Sequence, residues 1–152
     1  MINKKLFFIS SFNPQISETN GVAKKLLLEI ETFKSFGFEV DYTEISIEGV
    51  FINSDGERTF LVPWKGNYHR TFSSFYKKLS QLNLDYDIVY FRYEHISFQM
   101  LSFFRFFKRD SNKLIIGELP TYMKKPYSNS SLKEKIAFYI KRLMDDFLPI
   151  LI

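Results

Sequence analysis

Apolar and polar positions change period along the chain, from strand-like to helix-like and back. Residues 6–9 are continuously apolar, as in a central parallel strand that is covered on both faces. Residues 22–33 carry apolar side chains at three- and four-residue steps, which predicts an amphipathic helix, and Gly37 stands where a C-terminal cap is expected. Residues 38–42 alternate in the manner of a second strand. These patterns predict one strand-helix-strand unit.

The middle of the chain interrupts this alternation. Two short β-prone segments, 50–52 and 59–62, flank the dipeptide Asp55-Gly56, which favours a tight turn because glycine accepts positive φ. They predict a β-hairpin, either as a local insertion or as an antiparallel edge of a parallel sheet. The patterns that follow predict helix 68–82, strand 88–91, helix 96–108, strand 113–117 and helix 132–147.

This order of segments predicts an α/β fold, a doubly wound and mostly parallel sheet with helices on both faces and a β-hairpin insertion. In such sheets ligands bind beyond the carboxyl ends of the strands. We therefore expect the loops at 10–21, 92–96 and 117–127 to lie along one rim of the sheet, and the chemistry to be found there.

Composition bears on the size of the domain and excludes several kinds of site. The 152 residues are 45% hydrophobic and 18% aromatic, which suits one domain with a sizeable core. The absence of cysteine excludes disulfides, thiolate metal ligands and cysteine nucleophiles, and two isolated histidines cannot form a zinc site alone. No segment resembles a membrane span or a signal peptide, so a cytoplasmic location is expected. The net charge of +4 is compatible with anionic ligands or lipid surfaces.

Two of the expected rim loops carry candidate ligand-binding residues. Asn20 and Gly21 precede the first predicted helix, whose free N–H groups and dipole favour a phosphate or carboxylate. The segment is not a P-loop, and glycine at a helix start is also an ordinary cap. Arg92 suits an anionic or hydroxylated ligand, or a surface ion pair with Glu94. His95 is better interpreted as a helix-start residue than as a general base.

The third loop is the most informative. Glu118 directly follows a strand that the pattern predicts to be buried, and a carboxylate there is costly unless it meets a partner or a ligand. Pro120 and Pro126 stiffen the loop, as in a segment that holds side chains at fixed positions, although a rigid turn without a ligand has the same composition. Glu118 is therefore the first functional candidate.

Several of these segments together resemble one enzyme family. The runs 20–25 and 36–40, the strand region 86–93 and the sequence Glu118-Leu119-Pro120-Thr121-Tyr122 are similar to the N-terminal domain of bacterial glycosyltransferases of family 4. The resemblance is to enzymes of capsular or exopolysaccharide assembly in particular. It extends over nearly the whole chain, and its specificity lies in the order and spacing of motifs that are individually short.

The resemblance implies a GT-B enzyme, in which two Rossmann-like domains face one another across a cleft. Residues 1–152 would be the N-terminal, acceptor-side domain, and the C-terminal domain that binds the nucleotide sugar would be absent from this sequence. The implied reaction is a retaining, metal-independent transfer from a nucleotide sugar to a glycan or lipid-linked acceptor. No cofactor is implied beyond the nucleotide-sugar co-substrate, and this domain alone is expected to be inactive.

The resemblance also implies roles for individual residues. The implied donor phosphate-binding residues are Asn20, Gly21 and Lys24, the catalytic candidate is Glu118, and the implied acceptor-binding residues are Arg92, Thr121 and Tyr122. Two departures from the family pattern stand out. The histidine that many members carry after the strand matching 113–117 is absent, and Met123 stands where the family has a second proline.

Other interpretations remain open. A freestanding flavodoxin-like or phosphate-binding regulatory module has a similar order of elements, whereas the apolar ending 147–152 favours one half of a larger enzyme. Segments 98–109 and 132–144 combine aromatic residues with cations, as in helices lying on the inner face of the cell membrane. The simpler interpretation packs those aromatic side chains on the sheet. Nucleic acid is not expected as a partner, because basic and acidic residues are interspersed.

Overall fold

Six strands and three helices make up the part of the chain that the computed structural model describes, residues 4–10, 21–82, 84–92 and 97–118. In chain order the elements are β1 (Lys5–Ile9), α1 (Gly21–Ser35), β2 (Glu39–Ile45), β3 (Gly49–Ser54), β4 (Glu57–Pro63), α2 (Tyr68–Leu79), β5 (Ile88–Arg92), α3 (Phe98–Phe107) and β6 (Leu114–Glu118). The predicted helix 132–147 lies outside the described residues.

The strands form one mixed sheet in the order β4-β3-β2-β1-β5-β6. β1 is parallel to β2 on one side and to β5 on the other, and β6 continues the parallel part beyond β5. The hairpin β3-β4 adds to β2 in antiparallel fashion. The prediction of an α/β fold with a β-hairpin is confirmed, and the six-stranded sheet is mixed. Of the two placements left open for the hairpin, the antiparallel edge is the one adopted.

β1 is the buried centre of the sheet, as its continuous apolar run predicts. Residues 6–9 are at most 1% exposed. Because successive strand side chains point to opposite faces, Phe8 packs beneath α1 with Leu26 and Ile30, whereas Phe7 joins the cluster under α2 and α3. The helices therefore cover both faces of the sheet.

The aromatic side chains of α3 are mostly core residues. Phe103, Phe104 and Phe107 are buried, and the ring centroids of Phe91 and Phe104 lie 4.6 Å apart. The simpler interpretation of segment 98–109, aromatic packing on the sheet, is confirmed for these residues. None of the helices in the described ranges is long and apolar enough to cross a membrane.

Side-chain caps begin α2 and α3. The Asn67 side-chain oxygen accepts a hydrogen bond from the backbone N–H of Arg70 at 2.9 Å, and the Ser97 hydroxyl accepts one from the backbone N–H of Met100 at 3.1 Å. Such caps satisfy N–H groups that lack a partner within the helix. Both helices are confirmed, with ends within three residues of those predicted.

The prediction that the strand before Glu118 is buried is wrong. β6 pairs only with β5 within the described ranges, and its residues Leu114 and Ile116 are exposed. Glu118 is the last residue of this strand rather than the first of a loop. An edge strand with one neighbour has fewer covering side chains than a central one, and periodicity alone does not distinguish the two positions.

Gly49 begins β3 at a point where the hairpin approaches its own partner strand. Its φ is +153°, and a β carbon built on it would collide with the carbonyl oxygen of Val62 and lie 2.9 Å from the α carbon of Pro63. The colliding atoms belong to the backbone, so a rotamer change cannot relieve the contact. Only glycine fits this position without moving β4.

We expect Gly49→Ala to lower the free energy of unfolding by about 2–4 kcal/mol, because the cost of a strained backbone and the cost of overpacking against β4 add together. Urea denaturation of the two proteins measures the difference. Gly21→Ala is the matched control, since no atom of residues 4–10, 21–82, 84–92 or 97–118 lies within 4 Å of a β carbon built there. Equal effects of the two substitutions would contradict the steric account.

Candidate functional site

The carboxyl ends of β5 and β6 and the first half of α1 meet at one rim of the sheet. Parallel pairing sets Arg92 beside Glu118. Lys25 of α1 reaches the same place, with its Nζ 2.9 Å from Glu118 Oε1. Two of the residues predicted from sequence, Arg92 and Glu118, are thus in direct contact.

Glu118 is the centre of an ionic cluster, which we call the Glu118 cluster and which comprises Lys25, Glu29, Tyr90, Arg92 and Glu118. Lys25 Nζ bridges Glu118 Oε1 and Glu29 Oε1, at 2.9 and 3.3 Å. Glu118 Oε2 lies 3.3 Å from Arg92 Nε and accepts a 3.4 Å hydrogen bond from the Tyr90 hydroxyl. Both carboxylate oxygens of Glu118 are therefore held by neighbouring side chains.

Local geometry explains why these five side chains converge. Tyr90 and Arg92 are two residues apart in β5 and so lie on one face of the sheet. Glu118 is the register partner of Arg92, and therefore points to that face as well. Lys25 and Glu29 are four residues apart in α1 and so lie on the same side of the helix. The packing of α1 on this face brings the two sets together.

The cluster holds two buried polar atoms without a hydrogen-bond partner among the described residues, Arg92 Nη1 and Glu29 Oε2. The Arg92 and Glu29 side chains are 17% and 21% exposed, whereas Lys25 is 52% exposed. A buried donor or acceptor left unpaired costs free energy, and a ligand that pairs it recovers that cost. The cluster thus contains one unpaired donor and one unpaired acceptor, and a ligand would reach either atom only after the surrounding side chains move.

The environment of Tyr90 keeps its phenol protonated. Burial, followed by the charges of Glu118 and Glu29, raises the pKa of Tyr90 to about 12, and Arg92 opposes this shift. Hydrogen bonds to Glu118 and then to Glu29 raise the pKa of Lys25 above its ordinary value. At neutral pH the cluster therefore presents a neutral phenol donor and a charged ammonium group to Glu118.

Of the remaining residues predicted for the site, the structure describes Gly21 and Lys24. Gly21 is the first residue of α1 and is exposed, and no atom in the part of the chain that the structure describes lies within 4 Å of a β carbon built on it. Lys24 is exposed in the first turn of the same helix. Asn20, Thr121 and Tyr122 lie outside the described residues, as does His95.

Sequence reasoning missed three members of the cluster as site residues, Lys25, Glu29 and Tyr90. The four-residue spacing of Lys25 and Glu29 in a predicted helix was one available signal, and the two-residue spacing of Tyr90 and Arg92 in a predicted strand was another. Neither spacing shows that the two pairs face each other. Only the position of α1 over β5 and β6 does so.

A cavity of about 260 Å³ lies at the opposite, amino edge of the sheet. Four of its lining residues are paired with one another, because Lys5 Nζ lies 3.0 Å from Asp85 Oδ2 and the Tyr86 hydroxyl donates to Asp41 Oδ2 at 2.6 Å. Burial and Asp41 raise the pKa of Tyr86. Within the described ranges no three His, Asp or Glu side chains are grouped to hold a metal. The rim is the better candidate site.

The chain matches no family model, no curated protein and no solved structure.

We expect Glu118→Gln to lower the pKa of Tyr90 from about 12 toward the ordinary tyrosine value, because the substitution removes a negative neighbour that favours the protonated phenol. Carbon-13 NMR of labelled tyrosine rings, with Tyr90→Phe to assign the resonance, measures this pKa. Glu31→Gln, on the same helix but outside the cluster, is the control and should leave it unchanged. An unchanged or raised pKa in Glu118→Gln would contradict the geometry.

Proposed function

We propose that this chain is the N-terminal, acceptor-side domain of a retaining GT-B glycosyltransferase that acts in cell-surface polysaccharide synthesis. The observation that carries the proposal is the Glu118 cluster at the carboxyl rim of the parallel strands, beside the start of α1. Ligands of doubly wound sheets bind at this rim. The motif residues quoted for the glycosyltransferase resemblance, Arg92 and Glu118, are the ones that meet there.

The start of α1 supplies the proposed contact to the donor. A helix N-terminus presents unpaired N–H groups and a positive dipole end, which suit the diphosphate of a nucleotide sugar. The first turn of α1 contains no acidic residue, and the exposed Gly21 carries no side chain that blocks close approach. Asn20 and Lys24 complete the proposed phosphate site. A helix end and basic side chains stabilise a departing diphosphate without a metal ion.

The Glu118 cluster supplies the proposed contact to the acceptor. Lys25 is 52% exposed and can donate to a sugar hydroxyl group. Arg92 Nη1 and Glu29 Oε2 are unpaired but buried, and would pair with sugar hydroxyl groups only after the side chains around them move. Thr121 and Tyr122 are assigned to the same acceptor site on the motif resemblance. The second domain of the GT-B fold, outside this sequence, would carry most of the nucleotide-sugar site.

Glu118 is assigned the catalytic role. Its carboxylate, fixed by Lys25, Arg92 and Tyr90, would accept a hydrogen bond from the attacking acceptor hydroxyl and orient its oxygen. The acceptor oxygen then bonds to the anomeric carbon as the bond from that carbon to the diphosphate breaks. The hydroxyl proton passes to the departing phosphate, so a strong protein base is not required in this domain.

We expect Gly21→Val to weaken binding of nucleotide diphosphate sugars to the protein encoded by the complete reading frame by roughly 10- to 100-fold, the value of one hydrogen bond to a charged group. Among the described residues no atom lies within 4 Å of a β carbon at this position, so we expect the fold to be retained. Isothermal titration calorimetry with a panel of such sugars measures the affinity. Leu28→Val, an exposed position on the same helix, controls for helix propensity.

We expect Glu118→Ala to reduce kcat for sugar transfer by about 100-fold or more, with little change in the KM of the donor, if the carboxylate acts on the acceptor hydroxyl. Steady-state kinetics of the complete enzyme measure both constants, and Glu31→Ala is the control away from the rim. A rise in donor KM at constant kcat would contradict the catalytic assignment.

The 152-residue chain alone should bind nucleotide sugars weakly and transfer nothing. Efficient transfer by the isolated chain would contradict the assignment to one half of an enzyme. Phosphate binding through Gly21 without any transfer by the complete protein would instead support a freestanding phosphate-binding module.

A further inference from the structure

β4 (Glu57–Pro63) is an edge strand of the sheet, because β3 is its only neighbour within the described ranges. Residues 57–60 of this strand are exposed. An edge strand carries one row of backbone N–H and C=O groups that no other strand of its sheet pairs. We call residues 57–61 the β4 edge.

The turn of the hairpin decides which backbone groups of β4 point outward. Residues 55–56 both have positive φ, +47° and +88°, as in a type I′ turn. Such a two-residue turn closes on a hydrogen-bonded pair, here Ser54 and Glu57. Hydrogen-bonded and non-hydrogen-bonded pairs alternate along an antiparallel ladder, so the backbone groups of Arg58 and Phe60 point to the open edge.

The cation on this edge is neutralised within the chain. Natural edge strands commonly use charged side chains to prevent pairing with a second strand. Here Arg58 Nε lies 2.8 Å from Glu44 Oε1, and the Glu44 side chain is 4% exposed. The Arg58 guanidinium also stacks on the Phe51 ring at 3.6 Å. The cation is therefore turned onto one face of the hairpin and leaves the backbone of the edge accessible.

The side chains of Arg58 and Phe60 lie on the same face of the hairpin, because the two residues are two positions apart in β4. Phe60 is 52% exposed, and its ring centroid lies 5.3 Å from that of Phe51. An exposed guanidinium beside exposed aromatic surface can accept a further ring by cation–π contact. The register shift between Val50 and Phe51 bends the hairpin beyond Phe60 and so confines regular pairing to the β4 edge.

We propose that the β4 edge pairs in antiparallel fashion with the β4 edge of a second copy of this chain, about a twofold axis at Thr59. In this register Arg58 of each copy is opposite Phe60 of the other, and the backbone groups of both residues point across the interface. Each such pair exchanges two backbone hydrogen bonds. The two six-stranded sheets thereby become one continuous sheet.

The sequence of β4 favours this register over its neighbours. Sliding one copy by two residues in one direction sets Arg58 against Arg58 of the second copy, and like charges directly opposite are unfavourable. Sliding it by two residues in the other direction sets Arg58 against Val62, which lies beyond the register shift. A shift of one residue sets outward-pointing backbone groups against inward-pointing ones, so backbone hydrogen bonds are lost.

A second copy is the partner that this pattern fits. Each strand supplies a ring for the guanidinium of the other and a guanidinium for its ring, as an isologous interface requires. On the opposite face Thr59 meets Thr59 of the second copy at the axis, a cross-strand pair that can add a hydrogen bond. A strand from an unrelated protein would need an aromatic residue and a cation at the same two-residue spacing.

The interface is separate from the candidate site at the rim. β4 and β6 lie at opposite ends of the strand order, and β6 carries Glu118. Pairing through the β4 edge therefore leaves the Glu118 cluster uncovered in both copies. The proposal is thus independent of the proposed catalytic function.

The chain contains no cysteine, so a single introduced cysteine tests the register directly. In Thr59→Cys the two cysteines would form a non-hydrogen-bonded pair on the axis, with α carbons about 4.5 Å apart, within the range of a disulfide. We expect mild oxidation to convert this variant to a covalent dimer, measured by non-reducing electrophoresis and mass spectrometry. Glu57→Cys, equally exposed on the same strand, is the matched control. Its α carbons would lie about 14 Å apart, so it should remain largely uncrosslinked.

A pair of substitutions at Phe60 tests the contact with Arg58. Phe60→Glu and Phe60→Lys both remove the exposed ring, but they place opposite charges beside Arg58 of the second copy. We expect the Glu variant to dimerise about tenfold more tightly than the Lys variant, because the pair occurs twice in a symmetric interface. Sedimentation velocity of the 152-residue chain over a concentration series measures the association constants, and circular dichroism verifies that each variant remains folded.

Three outcomes would overturn the proposal. One is an unsubstituted chain that remains monomeric at every concentration. Another is equal crosslinking of Thr59→Cys and Glu57→Cys, which would show that the strands do not meet in this register. The third is equal dimerisation of the two Phe60 variants, which would show that the copies associate through a different surface.

Discussion

The burial of β1 on both faces is the constraint on which the rest of the structure depends. A strand of four consecutive buried apolar residues is stable only between two covered faces, so helices must pack on either side of it. The parallel pairing of β1 with β5 also sets Tyr90 directly beside Phe8. Phe8 stacks on Tyr90 with ring centroids 5.0 Å apart, and the Tyr90 hydroxyl in turn reaches Glu118. Core packing thereby extends directly to the candidate site at the rim.

Two carboxylates of the sheet illustrate how burial differs between its ion pairs. Glu44 is 4% exposed and lies 2.8 Å from Arg58 Nε, and the Arg58 guanidinium stacks on Phe51 at 3.6 Å. That pair joins β4 to β2 across the hairpin. The Glu118 cluster is more exposed and links α1 to the end of β6, where solvent weakens its contribution to stability. Its ion pairs hold side chains from α1, β5 and β6 in place at the rim of the sheet.

The sequence by itself determined the strands, the helices and the turn at Asp55-Gly56, because periodicity and turn chemistry depend on neighbouring residues. It also predicted Arg92 and Glu118 as site residues, and their side chains are in contact. It predicted a buried strand before Glu118, whereas residues 114 and 116 are exposed, since the number of neighbouring strands is not a local property. Only the tertiary structure decided that Lys25, Glu29 and Tyr90 join Glu118, and that β4 is an edge strand whose Arg58 is turned onto Glu44. Those outcomes depend on which elements pack on or pair with one another, and that is set by contacts between residues far apart in the chain.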